Sequence, residues 1–514
     1  MAHLGSGRRR ALAVPVGLAL TASLAFLPSV SASAAPLGNT ADAATASRAE
    51  TTGPKLSYVA NLNAYATVKA AKKAIERAGG TVVTAYEQIG VIVAHSQNPD
   101  FAKQLRANRG LFVSVGATRT APLQAVQTTD EGTTQQLSAA DAAKAAAAAQ
   151  EGQEPLEPNQ WDLRTIKADQ AHKINDGSQN VTVGVIDTGV DDTHPDLAPN
   201  FSKEQSANCV GGVADTSEGA WRPYPDGSDH GTHVAGTIAA PRNGIGVSGV
   251  APGVKVAAIK VSEPGTSLFF TEAVVCGFMF AAEKGIEVTN NSYYVDPWLY
   301  NCKSDDDQKA LVEAIGRATK YAERKGTLHV ASAGNSDHDL AADSILDDSS
   351  PNDTTPGPRT IDPRVCLDLP TQLPGVVTVS ATGDQGLRSY YSSYGLGVVD
   401  VAGPGGDKWQ IPATPDANGR VLSTVLGGGY GYKQGTSMAA PHVAGVAALL
   451  KSAHPSATPS QLQAMLKSQA TKAPCPAQIY NAAGTLVDAT TCESKWGQTG
   501  YYGYGVVDAL KAVK

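Results

Sequence analysis

The sequence predicts an α/β fold in which a mainly parallel central sheet is covered by helices and preceded by a small α+β unit. Two patterns carry this expectation. From Val181 onward, short runs rich in β-branched residues lack polar alternation, as strands buried on both faces do, and helical stretches separate them. Before them, residues 56–121 alternate strand-like and helix-like segments in the order β-α-β-β-α-β. A length of 514 residues gives room for two or three domains and a large core.

Taken in order, residues 1–35 read as a signal peptide. Arg8-Arg9-Arg10 form a positive start, Ala11 to Leu27 an apolar stretch, and Ala32-Ser33-Ala34 a small-residue cleavage site. A membrane anchor is the competing reading, but Pro15 and Pro28 flank a run too short to span comfortably. No later segment is a transmembrane candidate, so export is expected without a membrane anchor. Residues 36–55 are small and polar and read as disordered. Ser57–Leu62, Thr81–Tyr86, Gly90–His95 and Leu111–Val115 then read as strands, with helices at Val68–Arg77 and Pro99–Arg106. Gly79-Gly80 ends the first helix, and the whole is a ferredoxin-like pattern. Residues 122–158 are low in complexity and read as a linker, with a transient helix possible over Ser138–Gln150.

A second unit opens at Trp161-Asp162-Leu163. Its strand candidates are Val181–Ile186, Lys255–Val261, Ile286–Asn290, Thr327–Ala331 and Gly375–Ala381, with helices over Thr271–Lys284 and Asp307–Lys325. Residues 336–365 are polar and rich in Asp and Pro, and read as a solvated surface loop. The formal net charge is −7, and no basic patch points to nucleic acid. Six cysteines fit an oxidising destination, and none forms the close Cys-x-x-Cys pair of a zinc site. The even count suggests three disulfides. Cys475–Cys492 would close a local loop; the sequence leaves the other four open, with Cys209–Cys276 and Cys302–Cys366 as one pairing.

Three motifs carry the chemistry. Gly435-Thr436-Ser437-Met438-Ala439-Ala440-Pro441-His442 opens a helix apolar on most sides, so a serine sits beside unpaired backbone N–H groups at a helix start. Alone, this would be an ordinary Ser/Thr cap on a buried helix. Val183-Gly184-Val185-Ile186-Asp187-Thr188-Gly189 and Asp229-His230-Gly231-Thr232-His233 add an acid and a base, in the chain order Asp, His, Ser. In these three motifs the sequence resembles the subtilisin-like serine proteases, or subtilases, from about Trp161 to the C-terminus.

The resemblance implies a subtilisin-like three-layer fold over 159–514 and a serine endopeptidase working through an acyl-enzyme on Ser437. It implies His230 as base, Asp187 as the group that orients it, and Asn335 of Ala331-Ser332-Ala333-Gly334-Asn335 as oxyanion donor with the Ser437 N–H. His233 would be a hydrogen-bonding neighbour. Asn290-Asn291-Ser292-Tyr293-Tyr294 corresponds to the strand that pairs with substrate, making Ser292, Tyr293, Tyr294 and Gly334 candidate pocket residues. The tyrosines depart from the family's Ser-Leu-Gly, and could narrow the pocket or swing outward. A calcium site is implied at Asp196, the Asn243 side chain and the carbonyls of Pro241, Ile245 and Val247. Residues 36–121 resemble the family's propeptide, a folding assistant and intramolecular inhibitor, which would place a maturation cleavage within 122–158. An independent α/β domain is the alternative. A monomer is the default state. Two further classes stay open: an inactive secreted scaffold, and a narrow processing peptidase or exopeptidase with a substrate site remodelled by Tyr293, Tyr294 and the 336–365 segment.

Overall fold

The structure, a computed structural model, describes residues 53–122, 133–225 and 227–514. These belong to one compact unit, Thr51–Lys514. The signal-peptide expectation for residues 1–35 lies outside the described residues, as do residues 123–132 of the expected linker.

Seven parallel strands form the central sheet in the order Val401–Pro404, Val376–Thr382, Leu328–Ser332, Val288–Asn291, Thr182–Asp187, Lys255–Lys260 and Ala207–Asn208. Every residue of Thr182–Asp187 is buried, which explains why Thr-Val-Gly-Val-Ile-Asp shows no polar alternation. One face carries the His230–Ala239 and Thr436–Ala453 helices, joined in one apolar cluster by Val234, Ile238, Met438, Val443 and Leu449. The other carries Thr271–Glu283 and Asp306–Lys325, through Phe278, Met279, Leu311 and Ile315. Three layers result, as expected. The Asp306–Lys325 helix starts where the Asp305 side chain accepts from the Asp307 and Gln308 N–H groups, and ends at Gly326, whose φ of 109° suits glycine.

The N-terminal unit is a four-stranded antiparallel sheet ordered Gly80–Tyr86, Val91–Ser96, Leu56–Leu62, Phe112–Ala117. Helices Val68–Arg77 and Phe101–Arg106 cover one face, over a core of Tyr58, Ile75, Ile92, Phe101 and Val115. The β-α-β-β-α-β reading therefore holds. Its other face does not meet water: Val59, Val91 and Val93 join the apolar cluster of the Thr271–Glu283 and Asp306–Lys325 helices. Asn61 Nδ2 donates to the Ala310 carbonyl at 2.9 Å, Arg317 Nη1 donates to the Leu62 carbonyl at 3.0 Å, and Arg106 pairs with Asp307. At Gly116 a Cβ would stand 2.4 Å from the Asp307 carbonyl, so the close approach requires glycine.

Two expectations need correction. Within the 122–158 stretch, residues 133–158 are packed onto the second unit. Gln135–Gln136 pairs with Gly431 and Tyr432, and Ser138 caps an Ala139–Ala148 helix whose Ala145 is fully buried with Leu156, Ala240, Val247 and Leu422. Alanine lets this helix lie close while leaving almost no apolar period to read. The 336–365 segment is also built into the fold. Ile345–Asp347 pairs with Arg359–Ile361, and buried Asp347 holds Arg359 at 2.6 Å. Arg359 Nη2 in turn donates to the Tyr300 carbonyl at 2.6 Å. Asp347 and Arg359 are spent inside the protein while Asp337, Asp343 and Arg364 stay exposed, a division that composition alone cannot show. The three disulfides are Cys209–Cys276, Cys302–Cys366 and Cys475–Cys492. No helix among the described residues is long and apolar enough to cross a membrane.

Candidate active site

Asp187 ends its strand, and His230 opens the helix that packs against that strand end. The approach is set by Gly231, where a Cβ would stand 2.3 Å from the Gly189 carbonyl and 3.1 Å from Asp187. His230 Nδ1 lies 2.8 and 3.0 Å from the two Asp187 oxygens, and both residues are buried. A carboxylate can only accept, so Nδ1 is the donor and Nε2 is left as the basic nitrogen. Thr188 N–H also donates to Asp187 Oδ1 at 2.7 Å, which holds the carboxylate in place.

Ser437 is the second residue of the Thr436–Ala453 helix. Two contacts tie it to the end of strand Val288–Asn291: Ser292 Oγ donates to the Ser437 carbonyl at 2.8 Å, and Ser437 Oγ donates to the Ser292 carbonyl at 3.3 Å. Asn335 follows the adjacent strand Leu328–Ser332. Its amide oxygen accepts from both the N–H and the hydroxyl of Thr436, each at 2.8 Å. Two donors facing one atom identify it as oxygen, which leaves the amide NH2 as the exposed end. The NH2 nitrogen lies 3.4 Å from where a Cβ on Gly435 would stand, beside the head of the serine helix. The Ser437 N–H has no acceptor among the described residues. Two donors and an alcohol thus stand together where the Thr436–Ala453 helix meets two strand ends, and the buried His–Asp pair sits at the end of the parallel strand Thr182–Asp187. The arrangement can take a proton from a hydroxyl and stabilise an oxyanion beside it.

A cavity of about 260 Å³ adjoins this group, lined by Ser292, Tyr293, Tyr294, Leu299, Ser332, Gly334, Asn335, Ser336, Ser349, Asp368, Thr436 and Ser437. All four expected pocket residues are there. The Tyr293 ring is buried, stacked 4.8 Å from Phe269, and its hydroxyl donates to Asn291 Oδ1 at 3.1 Å. Burial pushes that phenol well up. The Tyr294 hydroxyl accepts from Asn352 Nδ2 at 2.8 Å, so the 336–365 segment holds it. Sequence reading missed Ser349, Leu299 and Asp368. The signal for Asp368 was a carboxylate inside the apolar run Cys366-Leu367-Asp368-Leu369-Pro370, which pointed to a buried charge.

His233, one turn beyond His230, is fully buried with Nε2 3.1 Å from the Val421 carbonyl and 3.2 Å from that of Gly431. Burial first, then the nearby Lys433 charge, pull its pKa down to about 3. It is neutral and donates to two carbonyls of the hairpin Val421–Val425/Gly429–Lys433.

Of the residues expected at the calcium site, Val247 and Asn243 lie beside Asp196. Asp196 Oδ2 accepts from the Val247 N–H at 2.9 Å and from the Tyr430 hydroxyl at 3.3 Å. Its Oδ1 is buried without a hydrogen-bond partner, and burial pushes the carboxyl up to about 7. The carbonyls of Pro241, Ile245 and Val247 accept from no described residue, and Asn243 Oδ1 takes only the Ile245 N–H at 3.1 Å. An orphaned buried carboxylate oxygen, with three carbonyls of the same loop left without donors, is a donor chemistry that fits a hard cation.

A model of the subtilase family matches residues 178–505. Subtilisin E of Bacillus subtilis (strain 168) is 34% identical over 309 residues, 60% of this chain, and the match spans 65% of that relative's length. Subtilisin Savinase of Lederbergia lenta is 31% identical over 354 residues, covering 69% of this chain and 98% of the relative. Among solved structures, the epidermin leader peptide processing serine protease of Staphylococcus aureus superposes with a TM-score of 0.62 at 22% identity, covering 90% of this chain and 98% of that one. Fervidolysin from Fervidobacterium pennivorans gives 0.58 at 24%, over 90% of this chain and 61% of its own. At those identities the two structures speak for the fold, and the sequence matches for descent. With the strand order, the Asp187–His230 pair and the serine at its helix head, they place this chain in the subtilase family.

Proposed function

We propose that the protein is a secreted serine endopeptidase, made as a zymogen that processes itself. The observation that carries this reading is the 2.8 Å contact between buried Asp187 and His230 in a chain whose Ser437 and Asn335 line one cavity at the head of the serine helix. His230 takes the Ser437 proton as the hydroxyl attacks a peptide carbonyl, and Asp187 holds the tautomer and stabilises the imidazolium. The Asn335 NH2 and the Ser437 N–H stabilise the oxyanion. The imidazolium then protonates the leaving amine, and water releases the acyl group by the same route in reverse.

Residues 36–121 act as the propeptide in this reading. Support comes from the apolar face that the Leu56–Leu62 sheet shares with the Asp306–Lys325 helix, and from Arg119. That guanidinium pairs with Glu263 and Glu272 and lies 4.0 Å from the Phe270 ring centre, a buried anchor for the chain leaving the unit. Maturation would cut within 122–158. Export is supported by the 1–35 sequence and by three disulfides. Calcium would be held by Asp196, Asn243 and the carbonyls of Pro241, Ile245 and Val247, and would supply a charge that fixes this loop.

The test is labelling by a serine-reactive phosphonate. The mature protein should be labelled at Ser437, and Ser437→Ala and His230→Ala should not. A folded, mature protein that stays unlabelled would leave the inactive-scaffold reading in place.

A further inference from the structure

We propose that Asp368 makes this site select substrates with a lysine or arginine immediately before the cleaved bond. The inference rests on the endopeptidase reading and deepens it by naming the substrate class.

The cavity runs from the exposed Asn335, beside the serine, to Asp368, which is 3% exposed. The main chain of Asp368 is fixed by Gln372: its N–H donates to Gln372 Oε1 at 2.8 Å, and its carbonyl accepts from the Gln372 N–H at 2.9 Å. The side chain has no such support. Oδ1 is buried with no hydrogen-bond partner, and Oδ2 lies 3.7 Å from where a Cβ on Gly334 would stand. Gly334 directly precedes Asn335, so the carboxyl sits beneath the oxyanion donor's own segment. No described cation compensates it, and burial alone pushes its pKa well up.

A carboxyl in this setting is held for a partner that arrives with the ligand. A guanidinium or ammonium entering from Ser437 would meet it, and Ser332, Ser336 and Ser349 on the same walls offer hydroxyl oxygens to the remaining N–H donors. An apolar side chain would leave the carboxyl buried and unpaired, which is a penalty against that substrate. At Gly334, whose φ of 97° suits glycine, a Cβ would stand 3.4 Å from Ser393 Oγ and 3.7 Å from the Asp368 carboxyl, on the wall of the cavity.

The experiment measures kcat/KM of the mature full-length product on peptides differing only before the scissile bond, with Arg, Lys, Gln, Leu or Phe there. Arg and Lys should exceed Leu and Phe by at least about 30-fold, the scale of losing a hydrogen bond to a charged group. In Asp368→Asn, which keeps the shape and removes the charge, the basic-to-apolar ratio should fall by a similar factor. Leu or Phe cleaved as well as Arg in the native enzyme would overturn the inference without any variant, as would an unchanged ratio in a folded Asp368→Asn. Phosphonate labelling separates the two levels. A labelled Ser437 without basic preference sinks only the specificity, whereas an unlabelled serine with no peptide cut sinks the endopeptidase reading and this inference with it.

Discussion

The Asn335 side-chain oxygen accepts from the backbone N–H of Thr436 at 2.8 Å, and this contact fixes the amide beside the nucleophile. Asn335→Ala should therefore leave the fold intact, because the residue is exposed, and lower kcat by about 10²–10³, the scale of losing such a donor in subtilisin. KM should change little, because the donor acts on charge that develops after binding. Steady-state kinetics on one peptide checks this, and a loss confined to KM would contradict it.

Calcium binds only the native arrangement of Asp196 and its loop in this account. Chelation should lower the thermal midpoint of the mature enzyme, and added calcium should restore it. Asp196→Asn should lose the response. A midpoint indifferent to chelator would remove calcium from the account.

The His233 pKa gives a pH dependence with a definite sign. Its folded value, about 3, is below the ordinary 6.5, so the unfolded chain binds the proton first as pH falls. Stability from this group is complete above about 6.5 and drains away from there toward about 3. In the Ser437→Ala background, the advantage of native His233 over His233→Gln should shrink by up to about 1.4 kcal/mol per pH unit through that window. Denaturant unfolding at a series of pH values checks it, and a constant difference would contradict it.

At Gly116 the N-terminal sheet approaches the Asp306–Lys325 helix closely, with room for no Cβ beside Asp307 and Ala310. In full-length Ser437→Ala, Gly116→Val should unseat that contact at a cost of about 1–3 kcal/mol, since a Cβ would meet backbone at 2.4 Å. Limited proteolysis should then release the N-terminal unit faster than from the parent. Equal rates would show that the face is not a binding face.

What the sequence revealed and what it hid divide on physical lines. The parallel sheet was legible because Thr182–Asp187 and its neighbours are buried on both faces and show unbroken apolar runs. Asp187, His230 and Ser437 stood out because each lies at a strand end or helix start within a short local motif. The floor of the cavity was hidden, because Asp368 and Ser349 reach it from segments distant in sequence from Ser437. The helix at Ser138–Gln150 was legible, but the packing of Ala139–Ala148 onto the second unit was hidden, because alanine packs closely yet gives almost no periodic signal. The 336–365 segment misled for a different reason: Asp347 is as buried as a core residue, and only its partner Arg359 makes that tolerable.

The central claim is that Ser437 cuts its own precursor, and intact mass tests it most directly. Wild type and Ser437→Ala should be expressed and purified side by side. The account predicts a shorter wild-type chain beginning within residues 122–158, with Ser437→Ala still joined to residues 36–121. A Ser437→Ala product trimmed to the same mass, in a host lacking other proteases able to cut it, would contradict self-processing.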